Sequence, residues 1–202
     1  MTLISLIIDG VEAFVVNNRK EIDIVLYGRG GQGVVTAANV LVRAACMAGL
    51  WGQAYPFFGA ERRGAPVTAY VRVSKERIRS RYASIRPDIA IILDRKLCDI
   101  INIDQNVKDG GSVIINTPFK IRRSERYRVF YVNADDIVRR LGLIFSGWSL
   151  VNMPMLGAFS KATNIVGVDH LISSVKEYLY GELLELNIKA IKIAYEEVLE
   201  AD

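Results

Sequence analysis

The chain has 202 residues, of which 51% are hydrophobic and 24% charged, and this composition excludes a disordered protein and indicates one packed globular domain. Its net charge of +4 suits an anionic ligand or partner, but acidic and basic residues are too evenly balanced for a nucleic-acid-binding arm. Its two cysteines, Cys46 and Cys98, are too few for a disulfide framework, a zinc site or an iron–sulfur cluster. We expect both to be core thiols in a reducing cytoplasm.

Residues 1–21 form an N-terminal extension in the sequence pattern. Apolar runs at residues 3–8 and 11–16 flank Asp9 and Gly10, a pair typical of a two-residue hairpin turn. The same pair interrupts the apolar stretch, and no basic segment precedes it. We therefore expect a hairpin here, and neither a signal peptide nor a membrane-spanning helix.

From residue 22 the pattern changes to alternating strands and helices. Five strands are predicted, at residues 22–27, 67–73, 88–93, 112–116 and 128–132. Helices are predicted at residues 34–50, 97–102, 134–141, 155–163, 169–180 and 182–200. This alternation predicts an α/β domain over residues 22–202, with a Rossmann-like, open and mostly parallel sheet flanked by helices.

The first candidate site is a glycine-rich segment that directly follows the first predicted strand. This glycine loop (residues 28–33, GRGGQG) fits the G-x-G-x-x-G spacing at the junction of a strand and a helix. Free N–H groups at such a junction, aided by the helix dipole, can bind a phosphate or a carboxylate. Gly30, Gly31, Gln32 and Gly33 are therefore candidate anion-contacting residues.

The residues leave other interpretations of the glycine loop open. A dinucleotide site requires an acidic residue at the end of the next strand, but residues 51–58 contain none and Glu61 comes late. An ATP-binding loop requires a lysine followed by serine or threonine, where Val34 and Val35 stand. The glycines can instead serve close packing of helix and strand, or contact the backbone of a partner.

The second candidate site is the arginine loop (residues 57–66), in which Arg62 and Arg63 follow Glu61. Adjacent guanidinium groups can hold phosphates or carboxylates through paired hydrogen bonds. An ion pair with Glu61, or solvated charge, is the alternative. We expect the two loops to converge at the carboxyl ends of neighbouring strands, where open α/β sheets collect their ligands.

Together, residues 27–37 (YGRGGQGVVTA) and 58–67 (FGAERRGAPV) closely resemble the gamma subunits of pyruvate and related 2-oxoacid:ferredoxin oxidoreductases. The resemblance extends from about residue 22 to residue 201, and residues 1–21 lie outside it. Residues 152–157 (NMPMLG) and Asn187 match weaker positions of this family.

The resemblance implies a complex that decarboxylates a 2-oxoacid, with pyruvate the expected substrate, on thiamine diphosphate. Electrons then pass through iron–sulfur clusters to ferredoxin, and the acyl group passes to the co-substrate coenzyme A. The implied partners are alpha, beta and delta subunits or their fused equivalents, and we expect these to carry the thiamine diphosphate, magnesium and clusters. For this chain the resemblance implies a role in assembly without catalytic residues of its own. Contact between coenzyme A and the two loops is our further hypothesis, with a subunit interface as its alternative.

Other polar residues of the chain favour structural roles. Asp109, Gly110 and Gly111 lack the preceding glycine of a diphosphate-and-magnesium motif and are typical of a turn. His170, the single histidine, follows the helix-capping residue Asp169, so we expect it on the surface. Asn187 lies beside the apolar stripe of the last helix, and we expect it to face solvent or an interface.

Two alternative functions belong to other classes of protein. A stand-alone dinucleotide-binding oxidoreductase would use Gly28, Gly30 and Gly33, but it lacks the required acidic residue. A nucleic-acid-binding module would use a group of arginines that form no recognisable reading motif, Arg77, Arg79, Arg81 and Arg86. We therefore expect a cytoplasmic subunit without a metal site and without nucleic-acid or membrane partners.

Overall fold

The computed structural model describes residues 21–57, 64–80, 84–145 and 147–202. The predicted hairpin of the N-terminal extension lies outside these residues. One sheet is built from seven strands: β1 (Glu21–Arg29), β2 (Trp51–Phe57), β3 (Pro66–Ser74), β4 (Ile89–Ile92), β5 (Ser112–Asn116), β6 (Arg128–Val132) and β9 (Leu199–Glu200). Two short strands, β7 (Ile144–Phe145) and β8 (Trp148–Ser149), pair separately.

The helices are α1 (Val34–Met47), α2 (Ile103–Asn106), α3 (Ala134–Arg140), α4 (Asn152–Thr163), α5 (Val168–Val175) and α6 (Gly181–Glu197). A 3-10 helix, Arg95–Asp99, follows β4. The prediction of one helix over residues 97–102 was therefore wrong: this range holds only the last residues of the 3-10 helix and a turn, and α2 begins after it. None of the helices within the described ranges is long and apolar enough to span a bilayer.

The strand order in the large sheet is β2-β3-β1-β4-β5-β6-β9. Strands β1, β4, β5 and β6 pair in parallel, whereas β3 and β9 run in the opposite direction. Because β2 is antiparallel to β3, it points the same way as β1. Five of these seven strands therefore share one direction, and the predicted α/β fold with a mostly parallel sheet is confirmed.

The central strand β1 is buried on both faces, as its run of β-branched residues predicted. Ile24 and Leu26 lie in the larger core cluster, which also contains the buried residues of α1, α3, α4, α5 and α6. Val25 and Tyr27 lie in a smaller cluster on the opposite face, with Leu97 of the 3-10 helix. The long helices thus cover one face of the sheet, while the other carries short helical turns and the segment between β5 and β6.

The sequence did not reveal a network of charges at the amino edge of the sheet. Arg72 is buried and donates from Nε to Asp23 Oδ1 at 2.6 Å, and this hydrogen bond raises the pKa of Arg72. Lys108 lies 3.0 Å from Oδ2 of the buried Asp88, which also accepts from the backbone N–H of Asp23 at 2.9 Å. These contacts join β1, β3 and β4 at the edge opposite the glycine loop.

Three predictions about single residues need correction. Cys46 is exposed near the end of α1, although it was predicted to be a core thiol. Asn187 is buried by this chain itself and donates to Leu183 O within α6 at 2.8 Å. His170 does lie in the first turn of α5, but the helix begins after Gly167 rather than Asp169. The His170 ring is half-buried, and Nδ1 has no hydrogen-bond partner within the described part of the chain.

Candidate functional site at the carboxyl edge of the sheet

The direction in which the chain adds strands reverses at β1. After β1 the chain forms α1 and then builds β2 and β3 on one side, whereas β4, β5 and β6 follow on the other side. In open α/β sheets such a reversal leaves a crevice beyond the carboxyl ends of the two strands that flank it. Here those strands are β1 and β4, and the glycine loop follows β1 directly.

Left-handed backbone shapes the glycine loop. Gly31 has φ of 103° and Gly33 has φ of 74°, a region that side-chain-bearing residues rarely adopt. Gly33 directly precedes α1 and, as a glycine, provides no side-chain cap for the helix. Gln32 is buried and accepts a hydrogen bond from the Arg29 backbone N–H through Oε1 at 2.8 Å. The predicted strand–loop–helix junction is therefore present, and the side chain of Gln32 stabilises it through its hydrogen bond to the Arg29 backbone.

Two further elements cover the glycine loop from outside. A Cβ atom at Gly31 would lie 3.4 Å from the Trp148 ring, and one at Gly64 would lie 3.6 Å from the same ring. A Cβ atom at Gly33 would lie 2.4 Å from Nδ2 of Asn152, which donates to Gly33 O at 3.3 Å. The chain's own β8 and α4 thus occupy space beside the glycines that a bound pyrophosphate would need in a dinucleotide-binding protein.

Backbone hydrogen bonds join the glycine loop to the end of the arginine loop. Gly30 N–H donates to Ala65 O at 2.9 Å, and Gly64 N–H donates to Gly30 O at 3.1 Å. Arg62 and Arg63 lie outside the described residues. The flanks of their loop are Phe57, at the carboxyl end of β2, and Pro66, which pairs with Arg29 at the carboxyl end of β1. Both flanks lie at the edge where the glycine loop lies, although β3 itself starts there rather than ending.

A side-chain ion pair joins the chain at the carboxyl ends of β1 and β4. Arg29 Nε contacts Asp94 Oδ2, and Arg29 Nη1 donates to Gly64 O at 3.2 Å. Asp94 follows β4 and begins the 3-10 helix, where its Oδ1 accepts from Lys96 N–H at 2.9 Å. Sequence reasoning identified neither side chain, since Arg29 was an unassigned position of the glycine motif and Asp94 lies 65 residues away.

A second polar junction lies at the carboxyl end of β5. The buried Asn116 donates from Nδ2 to Leu93 O at 2.9 Å and to Asp135 Oδ2 at 2.8 Å. Its Oδ1 accepts from Ala134 N–H at 2.9 Å, at the start of α3. An asparagine that directly follows three apolar residues of a buried strand was the signal that the sequence offered.

Proton-transferring and metal-binding groups are scarce at this edge. Tyr27 precedes the glycine loop, and burial, with a smaller effect of Tyr70, raises the pKa of Tyr27 to about 12. Its hydroxyl therefore stays protonated at neutral pH. The described residues contain no group of three or more His, Cys, Asp or Glu side chains that could hold a metal ion.

Comparison with known proteins shows the family of this chain. Residues 23–197 match the pyruvate ferredoxin/flavodoxin oxidoreductase family. The chain belongs to this family. The matched range does not include residues 1–22.

Relatives within the family are oxidoreductase subunits. The chain is 42% identical over 177 residues to the pyruvate synthase subunit PorC of Methanothermobacter marburgensis, covering 88% of this chain and 97% of that protein. It is 39% identical over 184 residues to the pyruvate/ketoisovalerate oxidoreductases common subunit gamma of Thermococcus litoralis, with coverage of 88% and 97%. The crystal structure of the pyruvate oxidoreductase subunit PORC from Thermotoga maritima is 28% identical, with a TM-score of 0.78, and the match covers 91% of this chain and all of that one.

These similarities confirm the gamma-subunit resemblance and the α/β fold predicted from the sequence. The chain is a gamma-type subunit of an oxoacid oxidoreductase complex. The roles of Gly30, Gly31, Gln32, Gly33, Arg62 and Arg63 in ligand or partner contact stay predictions.

Proposed function

We propose that this chain is the gamma subunit of a cytoplasmic pyruvate:ferredoxin oxidoreductase and that its arginine loop helps to bind coenzyme A. The partners are the alpha, beta and delta subunits, which carry thiamine diphosphate, magnesium and iron–sulfur clusters, and ferredoxin accepts the electrons. The names of the PorC relatives support pyruvate as the 2-oxoacid. Two cysteines in the whole chain are too few to hold a cluster, which supports assigning the clusters to the partners.

The coenzyme A contact is supported by the backbone hydrogen bonds that join Gly30 to Gly64 and Ala65. These bonds hold Gly64, which directly follows Arg63 in the sequence, at the carboxyl edge of the sheet. Coenzyme A carries several phosphate charges, and guanidinium forks bind phosphates through paired hydrogen bonds. In this proposal Gly30, Gly31, Gln32 and Gly33 supply the scaffold and any backbone N–H contacts, while the two arginines supply the charge.

The alternative of a stand-alone dinucleotide-binding enzyme has less support. Arg29 and Asp94 bridge the crevice in which such proteins place their nucleotide, and Trp148 and Asn152 lie against the glycines. A nucleic-acid-binding role is also less favoured, because Arg86 donates to Val107 O at 3.2 Å and so has a contact within the fold.

The coenzyme A contact can be tested in the assembled complex with the double variant Arg62→Ala/Arg63→Ala. We expect the KM for coenzyme A to rise roughly tenfold or more, because charged hydrogen bonds to phosphate are lost. Release of carbon dioxide from labelled pyruvate in a single turnover without coenzyme A should stay nearly unchanged. The matched control is Arg122→Ala/Arg123→Ala, a pair of adjacent exposed arginines between β5 and β6.

The control variant should leave both measurements unchanged. If the Arg62/Arg63 variant instead dissociates the complex, and the fraction that stays assembled has an unaltered KM for coenzyme A, these arginines are interface residues. The coenzyme A contact would then be excluded, while the gamma-subunit assignment would stand.

A further inference from the structure

The segment of residues 75–80, which leaves β3 at the amino edge of the sheet, is tied to the edge strand β2. Strand β3 ends at Ser74, which pairs with Glu21 at the start of β1. Further along the segment, the carbonyl oxygen of Ser80 accepts a hydrogen bond from the Tyr55 hydroxyl of β2 at 2.7 Å. The segment is therefore held beside β2 after it has left the sheet.

The segment and β2 enclose a cavity of about 370 Å³. Its described lining consists of one residue of β2 and four consecutive residues of the segment: Gln53, Arg77, Ile78, Arg79 and Ser80. Gln53 lies on the same face of β2 as Tyr55, because residues two apart in a strand point to the same side. A volume of this size falls within the range of small-molecule sites.

The charge of this cavity comes from Arg77 and Arg79, and none of its described lining residues carries a carboxylate. Both arginines are exposed, and within the described part of the chain neither side chain has a hydrogen bond or an ion pair. Arg72 at the same edge, by contrast, is paired with Asp23. Two guanidinium groups without an acidic partner, side by side in a concave site, favour the binding of an anion.

The nearest acidic side chains lie in an adjoining cavity of about 660 Å³. Arg77, Arg79 and Ser80 line this second cavity as well, and Glu21, Ser74 and Glu76 complete its described lining. An anion is therefore attracted to the smaller cavity, on the side of the arginines where Gln53 lies.

We propose that the smaller cavity is a binding site for a small phosphorylated anion. Arg77 and Arg79 hold the phosphoryl oxygens through paired N–H donors, and the Gln53 amide contacts the ligand from β2. Two guanidinium groups balance the charge of a phosphate dianion. Because β1 has nine residues, the site lies about 25 Å from the glycine loop, and it does not depend on the proposed function.

This site gives a role to arginines that the sequence offered only for nucleic-acid contact. Arg86 has its contact within the fold, and Arg81 lies outside the described residues. The pair in the cavity is too small a set for a nucleic-acid groove, which neutralises many phosphates. An acidic segment of a partner subunit would also match the charge, but the cavity has the size of a small ligand, and the test distinguishes the two.

The test uses inorganic phosphate as the probe and the assembled complex as the protein. The variants are Arg77→Gln/Arg79→Gln, which removes both charges, Arg77→Lys/Arg79→Lys, which keeps the charges without the planar donors, and Tyr55→Phe, which releases Ser80. The matched control is Arg122→Gln/Arg123→Gln, a pair of exposed arginines between β5 and β6. Potassium chloride at equal ionic strength is the control for salt.

Amide hydrogen exchange of residues 77–80 reports binding at this site alone, whatever other sites in the complex bind phosphate. We expect phosphate to slow this exchange in the parent complex. The phosphate concentration for half-maximal protection should rise roughly tenfold or more in Arg77→Gln/Arg79→Gln and roughly threefold in Tyr55→Phe. The lysine variant should lie between the parent and the glutamine variant, and the control should match the parent. Unchanged exchange in β1 shows that each variant is folded.

Three results would overturn the site. The first is no protection of residues 77–80 by phosphate beyond that given by potassium chloride. The second is equal protection in the parent, the lysine variant and Tyr55→Phe, which would show loose attraction to charge and an adventitious ion only. The third is protection that is complete in the parent complex without phosphate and lost in Arg77→Gln/Arg79→Gln, which would show that an acidic segment of a partner fills the cavity. The coenzyme A measurements above stand or fall separately from all three.

Discussion

A single buried amide, Asn116, links three elements at the carboxyl edge. It contacts the chain that leaves β4, lies at the end of β5, and accepts from the first N–H groups of α3. Its donors and its acceptor are used at once, and its side chain has almost no access to water. Because solvent cannot replace these partners, loss of the amide leaves buried backbone groups unpaired.

Asn116→Ala should therefore lower the free energy of unfolding by about 2–4 kcal/mol. The comparison variant is Asn133→Ala, which removes the cap that accepts from Asp136 N–H at 3.1 Å at the start of the same helix. Loss of an ordinary helix cap costs about 1 kcal/mol. Urea unfolding of both variants measures the difference in the free energy of unfolding. Equal losses in the two variants would contradict the conclusion that Asn116 links three elements.

At the residue scale, the sequence showed which positions were special but not what they contact. The glycine motif after a buried strand marked the loop at residues 28–33, and the structure places it at the expected junction. The contacts of Arg29 with Asp94 and of Asn152 with Gly33 join positions 65 and 119 residues apart. No local pattern encodes such pairs, because they arise only when β4 and α4 pack beside the loop.

At the element scale, the close approach of α4 to α6 depends on Gly157 in α4. A Cβ atom there would lie 2.2 Å from the backbone oxygen of Ile191 in α6. The facing side of α6 carries the small residues Ala190 and Ala194, both fully buried. Asn187 of the same helix is also buried, where the sequence pattern had predicted a solvent or interface position.

Gly157→Ala has two opposing effects on stability, one from helix propensity and one from packing. Alanine favours a helix interior by about 1 kcal/mol over glycine. Its methyl group, however, would press against backbone that cannot rotate away, so α4 and α6 must separate. We expect a net loss of about 1–3 kcal/mol in thermal or urea unfolding. Gly49→Ala is the control, because its φ of 79° strains alanine, but a Cβ atom there would have no atom of the described residues, apart from its chain neighbours, within 4 Å. A stabilised Gly157→Ala variant would contradict the close packing of α4 and α6.

Strands were predicted where long apolar runs mark them and missed where the chain lacks such runs. Strands β1, β3, β4, β5 and β6 each contain a run or an alternation of apolar residues, and all five were predicted. The edge strand β2 was missed, since Gly52 and Pro56 interrupt its pattern and both of these residue types are depleted in strands. Strands β7, β8 and β9 have two residues each, too few for any periodicity. Their existence depends on tertiary contacts, as in the pairing of β9 with β6.

At the scale of the whole molecule, the two edges of the sheet differ in character. The amino edge carries the network of Asp23, Arg72, Asp88 and Lys108. At the carboxyl edge, three phenylalanines project from separate segments: Phe57 ends β2, Phe119 follows β5 and Phe145 lies in the ribbon next to Trp148. Their exposed fractions are 67%, 62% and 70%. Large apolar side chains gathered at one edge are typical of a surface that a partner covers.

If the carboxyl edge contacts partner subunits, polar replacements there should weaken assembly without weakening the fold. Phe57→Ser and Phe145→Ser each remove an aromatic ring from this surface, and an aromatic anchor contributes about 2 kcal/mol or more to an interface. We expect roughly thirtyfold weaker association of each variant with the partner subunits, measured by titration and native mass spectrometry.

The isolated variants should also self-associate less than the parent chain, since they expose less apolar surface. Tyr180→Ser is the matched control. Tyr180 is also an exposed aromatic residue, with 88% of its surface accessible, but it directly precedes α6 and belongs to none of the segments that carry the three phenylalanines. Equal effects of all three replacements, or none, would show that the carboxyl edge is not the assembly surface.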